Sequence, residues 1–278
     1  MKELFDNVSA ECSKITTTSY STSFSLGIKF LANKFHAPIY GIYGFVRFAD
    51  EIVDSFHSFD KNKLLTKFKA DTWEAIYSGI SLNPVLNSFQ HVAKKYGIEK
   101  ELIETFLESM EMDLNKQFYD RKLYEQYILG SAEVVGLMCL KVFCEGDNKL
   151  YESLKYPAMK LGSAFQKVNF LRDLKADNEE LGRTYFPGVD MKHFTHHDKL
   201  RIEKEIETDF SEALEGIRRL PRSSRNGVYL AYYYYTMLFR KIKQLPHHRI
   251  LNERIRIPDY QKIILMFQSN LKHQFNLI

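Results

Sequence analysis

Apolar residues recur at three- and four-residue intervals over most of the chain, which is the period of helices with one buried face. No period-2 series marks a strand. The pattern predicts an N-terminal helix, a cap or turn over the polar run TTTSYSTS, a helix from about Ser23 and another whose first turn holds Pro38. Helical periodicity over 60–120 breaks between Gly79 and Pro84 and again at Gly97. The small residues Gly130, Ser131, Ala132 and Gly136 predict a kinked helix beside a cavity over 121–145. A helix over 156–177 precedes the loop NEELGRTYFPG, and Thr195 marks the next helix start. Residues 198–220 read as a charged surface helix, 226–245 as an aromatic helix, and the tail as a final helix. No repeat, linker or domain boundary interrupts the series. The expectation is an all-α protein with one core, a single domain over 1–278.

Composition narrows this. With 45% hydrophobic residues, 13 Gly and 7 Pro, the chain suits a helical core better than a turn-rich β architecture. Its 21 Phe and 17 Tyr are many; aromatics fill cores, and they also line apolar pockets and face cations with their π systems. A net charge of +4 is mild: it admits acidic small molecules and does not signal nucleic acid. Cys12, Cys139 and Cys144 form no CxxC pair, which fits a reducing cytosol. The start, MKELFDNVSAEC, has no apolar core of a signal peptide, and no run approaches the length of a membrane span; the longest mainly apolar stretch lies near Tyr229 to Phe239.

The chemistry concentrates in two segments. In QKVNFLRDLKAD, Gln166, Asn169, Asp173 and Asp177 follow at intervals of three, four and four and so share one helix face. In APIYGIYGFVRFADEIVD, Tyr43, Arg47, Asp50 and Asp54 do the same at four, three and four. Either DxxxD alone fits a solvated face; in QKVNFLRDLKAD, Arg172 and Lys175 stand nearby. Two of them on apolar helices, each with an adjacent Arg, point to facing carboxylates that need cations between them. Mg²⁺ takes one or two carboxylates together with phosphate oxygens. Arg47, Arg172 and Arg254 suit outer phosphate oxygens. An aromatic, apolar remainder suits a hydrocarbon tail, so the ligand expected is a prenyl diphosphate. The Ser/Thr run is either a helix cap or a set of phosphate donors. His193, His196 and His197 sit in a polar, Lys-rich stretch and read as solvated.

In this combination the chain resembles the squalene/phytoene synthase family of head-to-head isoprenoid synthases, and within it a bacterial phytoene synthase. SFSLGIKFL, IYGFVRFADEIVD, YILGSAEVVG, FQKVNFLRDLKAD, GRTYFP and RIRIP carry the resemblance, in family order and over nearly the whole chain. It implies an isoprenoid synthase fold around a deep apolar cavity. It implies Asp50, Asp54, Asn169, Asp173 and Asp177 as ligands of two or three Mg²⁺ ions, Mn²⁺ being an allowed substitute. Gln166, Arg47, Arg172 and Arg254 would line or bind the diphosphate site. Ser21, Ser23, Phe24, Tyr43, Tyr127, Tyr185 and Tyr235 would border the reacting centre. The implied reaction joins two geranylgeranyl diphosphates through a cyclopropyl diphosphate to phytoene, in carotenoid biosynthesis. The alternatives are squalene or dehydrosqualene synthesis from farnesyl diphosphate, with NADPH needed only for squalene, and, more distantly, a non-catalytic helical assembly factor. Three positions depart from the common pattern: Glu51, Leu129, where a second tyrosine is frequent, and Ile28, where an aromatic is frequent near the tail pocket. Oily substrates suit a cytoplasmic protein either fully soluble or in peripheral contact with the inner membrane face.

Overall fold

The structure, a computed structural model, describes residues 1–115, 119–179, 185–190, 193–251 and Ile255, and at 22, 23 and 176–179 the backbone alone. No strand occurs among the described residues; the protein is all-α. The helices are α1 (Lys2–Tyr20), α2 (Thr22–Lys29), α3 (Asn33–Asp54), α4 (Lys61–Ser78), α5 (Pro84–Tyr96) and α6 (Lys100–Asn115). They continue with α7 (Arg121–Ile128), a π turn (Leu129–Glu133), α8 (Val134–Cys144), α9 (Asn148–Glu179), α10 (His196–Arg219), α11 (Arg222–Gln244) and the short α12 (His247–Ile250).

Local chemistry explains most boundaries. Asp60, Asn83 and Asp120 accept backbone N–H bonds at the starts of α4, α5 and α7. Gly79 and Gly97 end α4 and α5 in the left-handed region, φ 76° and 61°. Thr195 and Asp198 form a reciprocal capping box at the start of α10.

Two sets of side chains fill the interior. One gathers on α3 to α6 and α8, with Phe45 stacked 3.9 Å from Phe89 and 5.3 Å from Phe106. The other lies along α9, α10 and α11 and is rich in tyrosine and phenylalanine. The π turn joins them by close approach. A Cβ on Gly130 would sit 2.6 Å from the Thr105 carbonyl oxygen, and one on Gly162 of α9 would sit 2.6 Å from that of Ala132. Only the missing side chains let α6, the π turn and α9 come so near.

Four expectations need correction. Thr16, Thr17 and Thr18 do not break the chain: they lie inside α1, their hydroxyls donating to the carbonyls of Cys12, Ser13 and Lys14 at 2.9, 2.8 and 3.0 Å. Bonding back to the carbonyl four residues earlier satisfies each hydroxyl without taking the chain out of the helix. Pro38 is not in the first turn, because α3 begins at Asn33; its ring is buried and the helix tolerates the lost N–H of that one position. Residues 198–220 are not merely a surface helix. Asp209 of α10 is buried and accepts from Lys167 at 2.7 Å, Ser163 at 2.9 Å and Lys160 at 3.2 Å, all on α9. Charges that read as solvated are here paired across two helices. Finally, α7, the π turn and α8 run on as 24 helical residues, long and apolar enough to cross a membrane by length and composition. More than half of that apolar stretch is buried within the bundle, so its apolarity is that of a core helix.

Candidate active site

A cavity of about 290 Å³ opens where α2, α3, the π turn, α8, α9, α10 and α11 face one another. Its depth is apolar: Ile28, Leu31, Ile39, Leu140, Phe143 and Ile217 are among the walls. Its rim is polar and comes from separate elements: Ser21, Tyr43, Gln166, Asn169 and Tyr235. These two zones are what a molecule with a charged head and a long apolar tail requires.

The rim residues hold one another. Tyr235 donates to Asn169 Oδ1 at 3.2 Å and stacks on Phe165 at 4.0 Å. Asn169 Nδ2 lies 3.4 Å from Gln166 Oε1. Phe24 stacks on Tyr43 at 4.6 Å. Burial pushes the Tyr43 phenol up to about 12, with a hydrogen bond to Ser21 opposing. The Tyr43 hydroxyl therefore stays protonated at neutral pH. Ser21 also caps α2, accepting from Phe24 N at 3.2 Å, so the cap reading of the Ser/Thr run applies there.

The acid turns lie beyond this rim. Asp50 follows Tyr43 by seven residues, about 10 Å along the helix. Arg47 Nη1 donates to Asp50 at 2.5 Å, Nη2 donates to Glu51, and the guanidinium lies 4.3 Å from the Tyr20 ring. Burial and the neighbouring Asp54 push the Asp50 carboxyl up to about 7 against the pull of Arg47, with Asp113 and Glu51 adding to the rise. A third of the Asp50 side chain is open, so water softens that shift. On α9, Arg172 donates to Asp173 through Nε at 3.1 Å and Nη2 at 2.5 Å. The fields of the two turns meet at the rim, since Tyr43 feels Asp50 and Tyr235, and Tyr235 feels Arg172 and Asp173. The side chains of Asp177 and Ser23, and all of Arg254, lie outside the described residues.

Among the described residues no group of three or more His, Cys, Asp or Glu is close enough to hold a metal unaided. The Asp50–Asp54 pair still fits a hard cation that brings other oxygens with it. Asp50 carries more negative charge around it than Arg47 offsets, and Arg47 Nε is buried without a partner. A buried N–H of this kind is an open donor for an oxyanion.

Tyr127 and Tyr185 are not brought to the cavity with Tyr43 and Tyr235. They are buried beside Asp113 of α6, to which their hydroxyls donate at 2.6 and 3.0 Å. Asp113 was not among the residues the sequence singled out. Its signal was there: it falls three residues after Met110 and seven after Phe106, on the buried stripe of α6. A carboxylate in such a stripe needs a partner. Ser131, in the π turn, was likewise seen only as small; its buried hydroxyl has no hydrogen-bond partner, and the residue lines the cavity.

This helical bundle, closing on an apolar cavity with acidic turns beyond its rim, has the isoprenoid synthase fold. The chain belongs to the squalene/phytoene synthase family, whose model matches residues 17–261. It is 24% identical to the phytoene synthase of Arthrospira platensis, with 95% of this chain and 93% of that one covered. It is 26% identical to the chloroplastic phytoene synthase of Narcissus pseudonarcissus, covering 87% of this chain and 60% of the plant protein's length. A presqualene diphosphate synthase of Zymomonas mobilis is 29% identical over 66% of this chain and 62% of that one. In structure the chain is similar to a dehydrosqualene synthase crystallised with ligand, TM-score 0.82 and 22% identity over 98% of both chains. It is also similar to the squalene synthase HpnC from Alicyclobacillus acidocaldarius, TM-score 0.74 and 19% identity over 89% of this chain and 96% of that one. The family is one of prenyltransferases acting on prenyl diphosphates.

Proposed function

We propose that this protein joins two molecules of geranylgeranyl diphosphate head to head, through a cyclopropyl diphosphate, to phytoene. One observation carries the reading: a single cavity with an apolar depth shares its polar rim between the two helices that bear the aspartate turns. The likeness to phytoene synthases over most of the chain supports the longer tail.

In this reading Asp50 and Asp54 on one side, and Asn169, Asp173 and Asp177 on the other, hold Mg²⁺ ions. Bound there, the ions would neutralise the leaving diphosphate and act as Lewis acids. Arg47 and Arg172 are already fixed at the two turns and offer guanidinium donors to the departing oxygens; Arg254 is proposed as a third. Gln166, Asn169, Tyr43 and Tyr235, held by mutual hydrogen bonds and stacking, fix the head group against the tunnel mouth. Phe24 and Phe165 present π faces where positive charge develops on carbon. The apolar walls exclude water, which would otherwise quench an allylic cation to an alcohol.

A second reading is the same coupling of two farnesyl diphosphates to a C30 product, with NADPH only if the product is squalene. The structural likeness to dehydrosqualene and squalene synthases supports it at the level of fold. Supplying each diphosphate separately with Mg²⁺ and identifying the hydrocarbon by mass spectrometry decides between the two. A C40 triene-centred product from geranylgeranyl diphosphate is expected. Only C30 product, from any mixture, overturns the phytoene assignment. No hydrocarbon from either overturns the synthase reading. Peripheral membrane contact is proposed because substrate and product are both oily; retention of product-forming activity on sedimented anionic vesicles tests it.

A further inference from the structure

Asp113 stands in the last turn of α6 with 7% of its surface exposed. Three phenols from distinct segments converge on it. Tyr127 of α7 donates to Oδ2 at 2.6 Å, and Tyr185, in the segment after α9, donates to Oδ1 at 3.0 Å. Tyr119, in the link before α7, reaches Oδ1 at 3.5 Å. Hydrogen bonds to the charged form keep a buried carboxylate ionised. The Asp113 carboxylate is also felt at Asp50. The rings pack as well as bond. Tyr185 stacks on Phe170 with centroids 4.1 Å apart and planes 10° apart, and lies 5.0 Å from Tyr127 and 5.1 Å from Tyr119.

Phe170 ties this cluster to the site. It is the residue after Asn169 and stands three before Asp173 on α9, so the side of α9 that carries Asp173, next to the cavity-lining face, rests on the Tyr185 ring. Asp113 thus touches both acid turns indirectly: that of α9 through Tyr185 and Phe170, that of α3 through its field on Asp50.

We propose that Asp113 is a positioning residue, which through Tyr185 and Phe170 sets the acid turn of α9 against that of α3. The inference rests on the function proposed above for what the two turns hold. A packing role alone would confine the consequence of losing Asp113 to the tyrosine cluster. A positioning role carries it through α9 to the cavity rim, where Tyr235 bonds Asn169.

Asp113→Asn, which keeps shape and one acceptor oxygen, separates the two. In metal-free protein labelled with 3-fluorotyrosine, the ¹⁹F resonances of Tyr127, Tyr185 and Tyr235 are assigned by their loss in the three Tyr→Phe variants. We expect all three to move in Asp113→Asn. With prenyl diphosphate and Mg²⁺, kcat should fall about tenfold or more, as for partners one shell from a metal, with KM within about threefold. Tyr185→Phe should show the same split, and Tyr119→Phe, at the limit of bonding distance, should resemble wild type. An unmoved Tyr235 resonance with only Tyr127 and Tyr185 shifted overturns the proposal, as does a kcat within about twofold of wild type. If Asp113→Asn fails to fold, the Tyr185→Phe pair of readouts decides, since that variant keeps the carboxylate and two donors. If wild type converts no prenyl diphosphate, the proposed function falls, and the Tyr235 resonance alone still decides whether Asp113 acts on the rim.

Discussion

On α3, Asp50 shares one arginine with Glu51 and has Asp54 one turn on and Asp113 within its field. On α9, Asp173 has Arg172 beside it, bound through two of its nitrogens. The DxxxD spacing is the same, yet one acid stands in an excess of negative charge and the other beside its own counter-charge. Among the described side chains, Asp50 is left with like charges that its shared arginine only partly offsets, and Asp173 with a counter-charge beside it. The arginine position explains part of this. Arg47 stands three residues before its aspartate and spans two carboxylates; Arg172 stands one before and serves Asp173.

The comparison can be broken most decisively at the acids themselves. Asp50→Ala and Asp173→Ala should each reduce product formation by about 10²–10³-fold, as loss of a directly engaged charge-stabilising group does. Full activity in either, measured as hydrocarbon formed per minute, removes that turn from the site. Next come the arginines. Arg47→Ala leaves Asp50 and Glu51 without their shared cation and should cost about 10–100-fold in kcat/KM. Arg172→Ala should cost less, because Asp50, Asp54 and Arg47 are untouched. Equal losses would show that the two turns are not balanced differently.

A smaller effect appears in stability. The folded Asp50 carboxyl titrates well above an ordinary aspartate, so in the unfolded chain it ionises first. Its contribution is intact below the unfolded value, near pH 4, and is lost as pH rises towards about 7. Asp50→Asn should therefore raise the melting temperature of metal-free protein at pH 8 and lose that advantage as pH falls towards 4. Added Mg²⁺ should stabilise wild type at pH 8 more than it stabilises Asp50→Asn. A melting curve for Asp50→Asn that tracks wild type at every pH would contradict the charge imbalance at α3. The smallest change is expected for Glu51→Gln. It removes one negative charge beside Arg47 while leaving an oxygen to accept from Nη2 and Asp50 in place, and activity should stay within about threefold of wild type.

Much of the architecture was legible because helices are local. The intervals from Tyr43 to Asp54 and from Gln166 to Asp173 place those residues on common faces whatever surrounds them. Gly79, Gly97 and Thr195 mark boundaries by chemistry confined to one turn. The misreadings share a cause. Thr16 to Thr18 looked like a break because hydroxyls compete with the backbone, and inside α1 they bond it instead. The charges of α10 looked solvated because Lys160, Ser163 and Lys167, which pair with Asp209, stand more than forty residues away. Tyr127 and Tyr185 were expected at the reacting centre by position in a family pattern, and the fold turns both towards Asp113.

What the chain determines by itself is the all-α class, the two aspartate registers and the family to which they belong, since a repeating dihedral makes spacing equivalent to direction over a few turns. What only the folded molecule decides is which charges meet. Tyr185 reaches Asp113 across 72 residues of sequence, and no local period encodes that distance. The depth of the cavity and the unequal balance of the two acid turns belong to the same category, because both are set by helices that meet only after the core has packed.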